Sequence, residues 1–282
     1  MMNEPPRTPS GRRPRLTRRG RLVLIATAVV VVAVAVLVPL SRTGDSPDGE
    51  RKTVSLLVPE GRRATQVYAS VDKVLGVPSG TTAEAATGTR LELPGAAKRN
   101  PEGYLFPATY PVGTGATPSG LLGYMVDTAR ERFGADRVTE GARRNGVSVY
   151  QTVTIASIVQ AEADTAADMG RVARVVHNRL ARDMPLQMDS TLNYALNRST
   201  LDTTHSDTKT ASPYNTYEFR GLPPTPIGNP GEEAMNAAIN PARGDWLYFV
   251  TVAPGDTRFT ADYDEHRVNV EEFNANRSAA TS

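Results

Sequence analysis

The sequence predicts an α+β protein: one N-terminal transmembrane helix, a small strand–helix module, then a mainly helical domain with a few short strands. Three observations carry this expectation. Leu22 to Leu40 (LVLIATAVVVVAVAVLVPL) is a 19-residue run without a charge. Thr53 to Val58 (TVSLLV) alternates and is rich in branched residues, and helical spacing follows at Val67, Val71 and Leu75. From Pro118 onward the apolar residues recur at three and four, with one clear strand pattern at Trp246 to Val252 (WLYFVTV). The predicted divisions are a basic tail (1–21), the span (22–40), a polar linker (41–51), a module with an aromatic seam (52–112), a helical domain (113–277) and a loose tail (278–282).

Composition narrows the function. The 282 residues include no cysteine, which excludes a thiol nucleophile, a thiolate-bound metal and a disulfide framework. Three histidines (His177, His205, His266) stand at no metal-ligand spacing, so neither metal nor cofactor is expected. Seven arginines and one glutamate give residues 1–21 a charge of +6, which leaves −4 for the remainder of a chain whose total is +2. No basic stripe remains outside the tail, so nucleic acid is not an expected partner.

At helical rise the 22–40 run spans about 28 Å, close to a hydrocarbon core of about 30 Å. The arginines precede it, which keeps the tail cytoplasmic and exports the rest. A cleaved signal peptide is the rival reading; its apolar core is ordinarily shorter, and no A-x-A site follows. Next, Pro59-Glu60-Gly61 breaks the first strand, a helix runs from Ala64 to Leu75, and LEL (91–93) reads as a second short strand. Ser70-Val71-Asp72-Lys73 matches S-x-x-K, but the K-T-G and S-D-N partners of that nucleophile motif are absent. Asn100 to Val112 packs three aromatics among prolines, which suits a sugar ring or a domain seam equally. Pro118-Ser119 opens a helix through Phe133.

Ser148 can cap a helix that carries Ile155, Ile158, Val159 and Glu162 at i, i+3, i+4 and i+7. A carboxylate in line with an apolar stripe is costly to bury ionised, so its pKa should rise until it can donate a proton near neutrality. A rim position, or an ion pair with Arg171 or Arg174, accounts for the same spacing. A second helix follows over Asp168 to Arg182, and a short one ends at Leu196, capped by Asp189 or Ser190. Gln187 and Asp189 stand beside apolar neighbours and are candidates to face a cleft. Ser212 to Asn229 (SPYNTYEFRGLPPTPIGN) holds Pro213, Pro223, Pro224 and Pro226, which make it extended and ordered. Its tyrosine, asparagine and threonine side chains suit a sugar groove, or a rigid structural loop. Asn229-Pro230-Gly231-Glu232 reads as a helix start, Trp246 to Val252 pairs with Arg258-Phe259-Thr260, and Asp262 caps a last helix through Asn276.

Several stretches together resemble the YceG-like endolytic murein transglycosylases (the MltG family). They are VPEG (58–61), EGYLFPATY (102–110), ASIVQAEA (156–163), VVHNRL (175–180), MPLQMDSTLNY (184–194), SPYNTYEFRGLPPTPIGNPG (212–231), AINPARGDWLYFV (238–250) and FTADYDEH (259–266). They run in the family's order over roughly residues 50–275. The resemblance implies a single-pass membrane enzyme, facing outward, that cuts nascent peptidoglycan strands internally, with a LysM-like module ahead of the catalytic domain. It implies Glu162 as catalytic residue; Gln187, Asp189, Thr191, Tyr214, Asn215, Thr216 and Tyr217 are the candidate substrate-binding residues. Peptidoglycan glycan strands are the implied partner, with peptidoglycan synthases as candidate neighbours. Many relatives carry a second acid where this chain has Gln160. The family's S-D-P-T is Met188-Asp189-Ser190-Thr191 here, and its G-G-H-x-F is Asp256-Thr257-Arg258-Phe259, without the histidine.

A lytic transglycosylase needs one carboxyl where most glycosidases need two. Glu162 would protonate the bond between N-acetylmuramic acid and N-acetylglucosamine, then take the proton of the 6-hydroxyl as a 1,6-anhydro ring closes. Asp189 is the reserve second acid. A lysozyme-like hydrolase and a non-catalytic wall-binding scaffold are the alternative classes; mass spectrometry of the products tells them apart by one water or by the absence of products.

Overall fold

The computed structural model describes residues 54–198 and 204–280; the predicted tail, span and linker lie outside them. Among the described residues no helix is long and apolar enough to cross a membrane. The chain begins with strand β1 (Val54–Leu57), then helices α1 (Ala64–Leu75) and α2 (Thr81–Gly88), and returns as β2 (Thr109–Val112). β1 and β2 are antiparallel, with Val54 opposite Val112 and Leu57 opposite Thr109. The predicted strand at 91–93 does not form. A strand needs a partner edge, and β1 takes its partner from 109–112, a pairing that local pattern does not reveal. Likewise the polar stretch after Gly76 holds α2, whose start is fixed by Asp72: its carboxylate accepts from the Gly80 and Thr82 amides and from the Thr82 hydroxyl.

Helix α3 (Pro118–Gly134) opens with Thr117 as its cap and proline in its first turn. Its early residues Leu121, Leu122, Met125 and Val126 share one apolar cluster with Leu56, Val67, Val71, Leu105 and Tyr110. Its later residues Ala129 and Phe133 join a second, larger cluster. After α4 (Asp136–Arg144) comes the central helix α5 (Val149–Glu162). Ser148 caps it in a full capping box with Gln151. All residues from Thr152 to Val159 are buried, so the helix is enclosed on every side and not along one stripe. Threonine and serine tolerate this because their hydroxyls bond to the backbone one turn back, Thr152 to Ser148, Thr154 to Tyr150 and Ser157 to Thr154.

Helix α6 (Ala166–Ala181), capped by Thr165, and the short α7 (Asp189–Ala195) follow. Neither Asp189 nor Ser190 caps α7 with its side chain, contrary to expectation; Met188 holds the cap position and both polar side chains are engaged elsewhere. Helix α8 (Glu232–Ile239) starts after Gly231, not after Asn229. The Asn229 side chain instead accepts from the Leu105 amide and donates to the Arg62 carbonyl, tying the GNPG turn to the front of the module. Strands β3 (Tyr248–Ala253) and β4 (Asp256–Thr260) form the predicted hairpin, and Phe249 faces Phe259. Helix α9 (Tyr263–Ala280) begins at Asp262, whose carboxylate accepts the Glu265 amide, and continues past Asn276.

Candidate active site

Glu162 is the last residue of α5, where the enclosed part of the helix emerges and the side chain is half-buried. Its Oε1 accepts two hydrogen bonds from Ser190 at the start of α7, from Oγ at 2.6 Å and from the amide at 3.2 Å. Its Oε2 accepts none among the described residues. Burial pushes its pKa up, the two Ser190 bonds pull it back, and neighbouring Asp189 pushes it up again. The ion-pair alternative is not what forms. Arg171 pairs with Asp168 and lies over the Phe259 ring, while Arg174 donates to the Ala242 and Pro241 carbonyls.

Asp189 is half-buried and accepts the Tyr217 hydroxyl at 2.5 Å. Burial, and then this bond, push the Tyr217 hydroxyl well above the usual range, so it stays a donor. Gln187 is exposed, with left-handed backbone (φ 51). That conformation is costly for a non-glycine residue and is held from two sides. Buried Arg179 donates to the Pro185 and Leu186 carbonyls and to the Gln187 side chain, and the Gln187 amide donates to the Thr216 carbonyl. Arg179 also donates to the carbonyl of Leu247, the residue before β3.

The remaining predicted residues divide by burial. Thr191, Asn215 and Thr216 are buried. The Thr191 hydroxyl bonds the Met188 carbonyl and the Thr216 hydroxyl, which in turn accepts the Met188 amide. The Asn215 amide group donates to the Thr208 and Thr210 carbonyls, and its oxygen accepts the Tyr217 amide. These three side chains fix the two loops against each other. Tyr214 and Tyr217 are partly exposed; Tyr214 packs on Tyr194 at 4.9 Å and its hydroxyl bonds Thr225. Gln160, at the second-acid position, is structural: its side-chain Oε1 accepts the Gly231 amide at the start of α8.

Two residues central to this geometry carry no site signal in the sequence. Ser190 looked like a cap, because serine before a helix ordinarily is one. Arg179 looked like a helix end; a buried arginine spent on carbonyls leaves no periodic signal. Two cavities lie away from Glu162. One, of about 440 Å³, is lined by Tyr150, Thr154, Leu180 and Leu222 and shares α5 with it. The other, of about 390 Å³, is lined by Arg90, Leu91, Leu93 and Arg99 of the module.

The model of the YceG-like family matches residues 37–272. An endolytic murein transglycosylase of Bacillus subtilis is 36% identical over 173 residues, 61% of this chain and 48% of that protein. One of Streptococcus pneumoniae is 32% identical over 260 residues, 83% of this chain and 47% of that protein. The chain therefore spans about half the length of these relatives. A crystal structure of a yceG-like protein from Listeria monocytogenes superposes with a TM-score of 0.66 at 30% identity, covering 76% of this chain and 75% of that one.

Proposed function

Because the chain belongs to the YceG-like family, we propose that it is an endolytic peptidoglycan transglycosylase with Glu162 as its catalytic acid and base. The observation that carries this reading is the unequal use of the Glu162 oxygens. Oε1 accepts two donors and cannot also hold a proton, so the proton of the neutral acid belongs on Oε2, which has no partner among the described residues. A half-buried acid with its proton on the free oxygen is poised to donate.

In the proposed reaction, Oε2–H protonates the glycosidic oxygen between N-acetylmuramic acid and N-acetylglucosamine. The bond from the anomeric carbon to that oxygen breaks, and the leaving sugar keeps the proton as a new hydroxyl. Ionised Glu162 then takes the proton from the 6-hydroxyl of the muramic residue. That oxygen bonds to the anomeric carbon, and the 1,6-anhydro end forms without water. The positive charge on the ring is stabilised by the adjoining Asp189 carboxyl, and Gln187, Tyr214 and Tyr217 contact the sugar. Thr191, Asn215 and Thr216 act by holding the two loops that carry these groups. The antiparallel β1–β2 pair with its two helices is the LysM-like module, and residues 22–40 anchor the protein in the membrane with the catalytic domain outside, beside peptidoglycan synthases.

The test is Glu162→Gln with uncrosslinked glycan strands. Release of anhydro-ended fragments should fall roughly 1,000-fold, within the range removed with a general acid, while circular dichroism stays that of the wild type. Retained release removes the mechanism, and products heavier by one water identify a hydrolase.

A further inference from the structure

Glu102 is a buried carboxyl, 3% exposed, that the proposed chemistry does not use. It lies in the EGYLFP stretch of the module, between α2 and β2. Its Oε1 accepts the Ala64 amide at the start of α1 at 2.9 Å, and its Oε2 accepts the Tyr194 hydroxyl of α7 at 3.0 Å. Arg63, the residue before α1, reaches the same helix. Its guanidinium lies 5.1 Å above the Tyr194 ring, and it donates to the Arg198 carbonyl at 2.7 Å and to the Asn197 side chain at 3.5 Å, both just after α7. Ser190 and Tyr194 are four residues apart and share one face of α7. The helix thus has two anchors, one on Glu162 and one on the module.

We propose that Glu102, with Arg63, is a positioning residue for the reaction: the module holds α7 through Tyr194, and α7 holds the Glu162 carboxyl through Ser190. This rests on the reading of Glu162 given above. The charged and titratable groups facing Glu102 are Arg63, Tyr68 from α1 and Tyr194 from α7. Burial pushes the Glu102 carboxyl up to about 7, against the pull of the Ala64 amide, the Tyr194 hydroxyl and Arg63. Oε1 faces a backbone amide, which can only donate, so a proton on Glu102 sits on Oε2. The bond to Tyr194 then reverses, and the Tyr194 hydroxyl turns to neighbouring Thr225, which already bonds Tyr214. The charge of one buried acid thereby reaches a side chain proposed to contact sugar.

The experiment compares the full chain with Glu102→Gln, Tyr194→Phe and the double variant. Glu102→Gln is isosteric and keeps an oxygen for the Ala64 amide, and Tyr194→Phe keeps the ring under Arg63. Anhydro-ended product is measured against glycan concentration from pH 5.5 to 8.5, and hydrogen exchange is followed over residues 189–195. Each single variant should lower kcat ~10-fold with KM within about twofold, and the double should be no worse than the lower single, because either change ends the donation from the Tyr194 hydroxyl to residue 102, Glu102→Gln by reversing the bond and Tyr194→Phe by removing it. Exchange in α7 should quicken ~10-fold in each variant while α5 keeps its wild-type rate, and the wild-type inflection in α7 exchange near pH 7 should vanish in Glu102→Gln. Additive losses in kcat, or α7 exchange unchanged in both singles, overturn the proposal. If the wild type releases no anhydro-ended product, the transglycosylase reading fails by itself, and α7 exchange alone decides whether the module holds that helix.

Discussion

Two donors on one carboxylate oxygen and none on the other give Glu162 a direction as well as a raised pKa. The Ser190 hydroxyl stabilises the ionised form, so removing it must raise the pKa further. In the proposed reaction activity needs the neutral acid and is lost as pH rises through that pKa. Ser190→Ala should therefore move the alkaline limb of kcat/KM to higher pH, by up to about one unit for one charged hydrogen bond of roughly 1.5 kcal/mol. A limb that stays put, or moves down, refutes the assignment of Ser190. Glu162 stands out in the sequence because an acid in line with apolar residues at helical spacing is a local anomaly. Ser190 does not, because its partner lies 28 positions away and its own neighbourhood resembles an ordinary cap.

Helices announce their ends locally, and those ends are where the sequence reads best. Ser148 with Gln151 is such a case: both members of the capping box lie within four residues. Ser148→Ala should lower stability by about 1 kcal/mol in chemical denaturation, with the slope unchanged. The Asn229 start fails for the opposite reason. An asparagine before proline fits a cap, but its side chain finds the Leu105 amide and the Arg62 carbonyl, groups brought near only by folding. Gly103 marks the same seam. Its backbone is left-handed (φ 84), and an added Cβ would lie 2.5 Å from Pro226 Cγ and 3.1 Å from Val153. Gly103→Ala should cost roughly 2–4 kcal/mol, from backbone strain and overpacking together. A variant within 0.5 kcal/mol of wild type would mean that the seam yields.

Over the whole described region, buried Glu102 makes stability depend on pH. Its carboxyl titrates near 7 in the folded protein against an ordinary value of 4.5. Between these values the folded state keeps a proton that the unfolded state has released, so stability is highest below about 4.5 and falls as pH rises toward 7. The loss is on the order of 3 kcal/mol. Thermal melts at pH 5 and pH 8 should differ in that direction, and Glu102→Gln should narrow the gap; an equal gap in both proteins contradicts the assignment. For the anchor, expression of residues 1–282 should place the protein in the membrane fraction, and expression from residue 50 should release it to the soluble one. Equal partition of both would refute residues 22–40 as the anchor. What the sequence determined unaided was local or compositional: the mixed α+β class, most helix starts, the β3–β4 hairpin and the acid on α5. Their signals lie within a few residues of one another, where backbone propensity and side-chain period decide. The tertiary structure alone decided that β1 pairs with 109–112, that Ser190 and not an arginine meets Glu162, and that Glu102 joins α1 to α7. These contacts close long loops, and no local pattern encodes which distant donor a buried acceptor will find once water has been excluded.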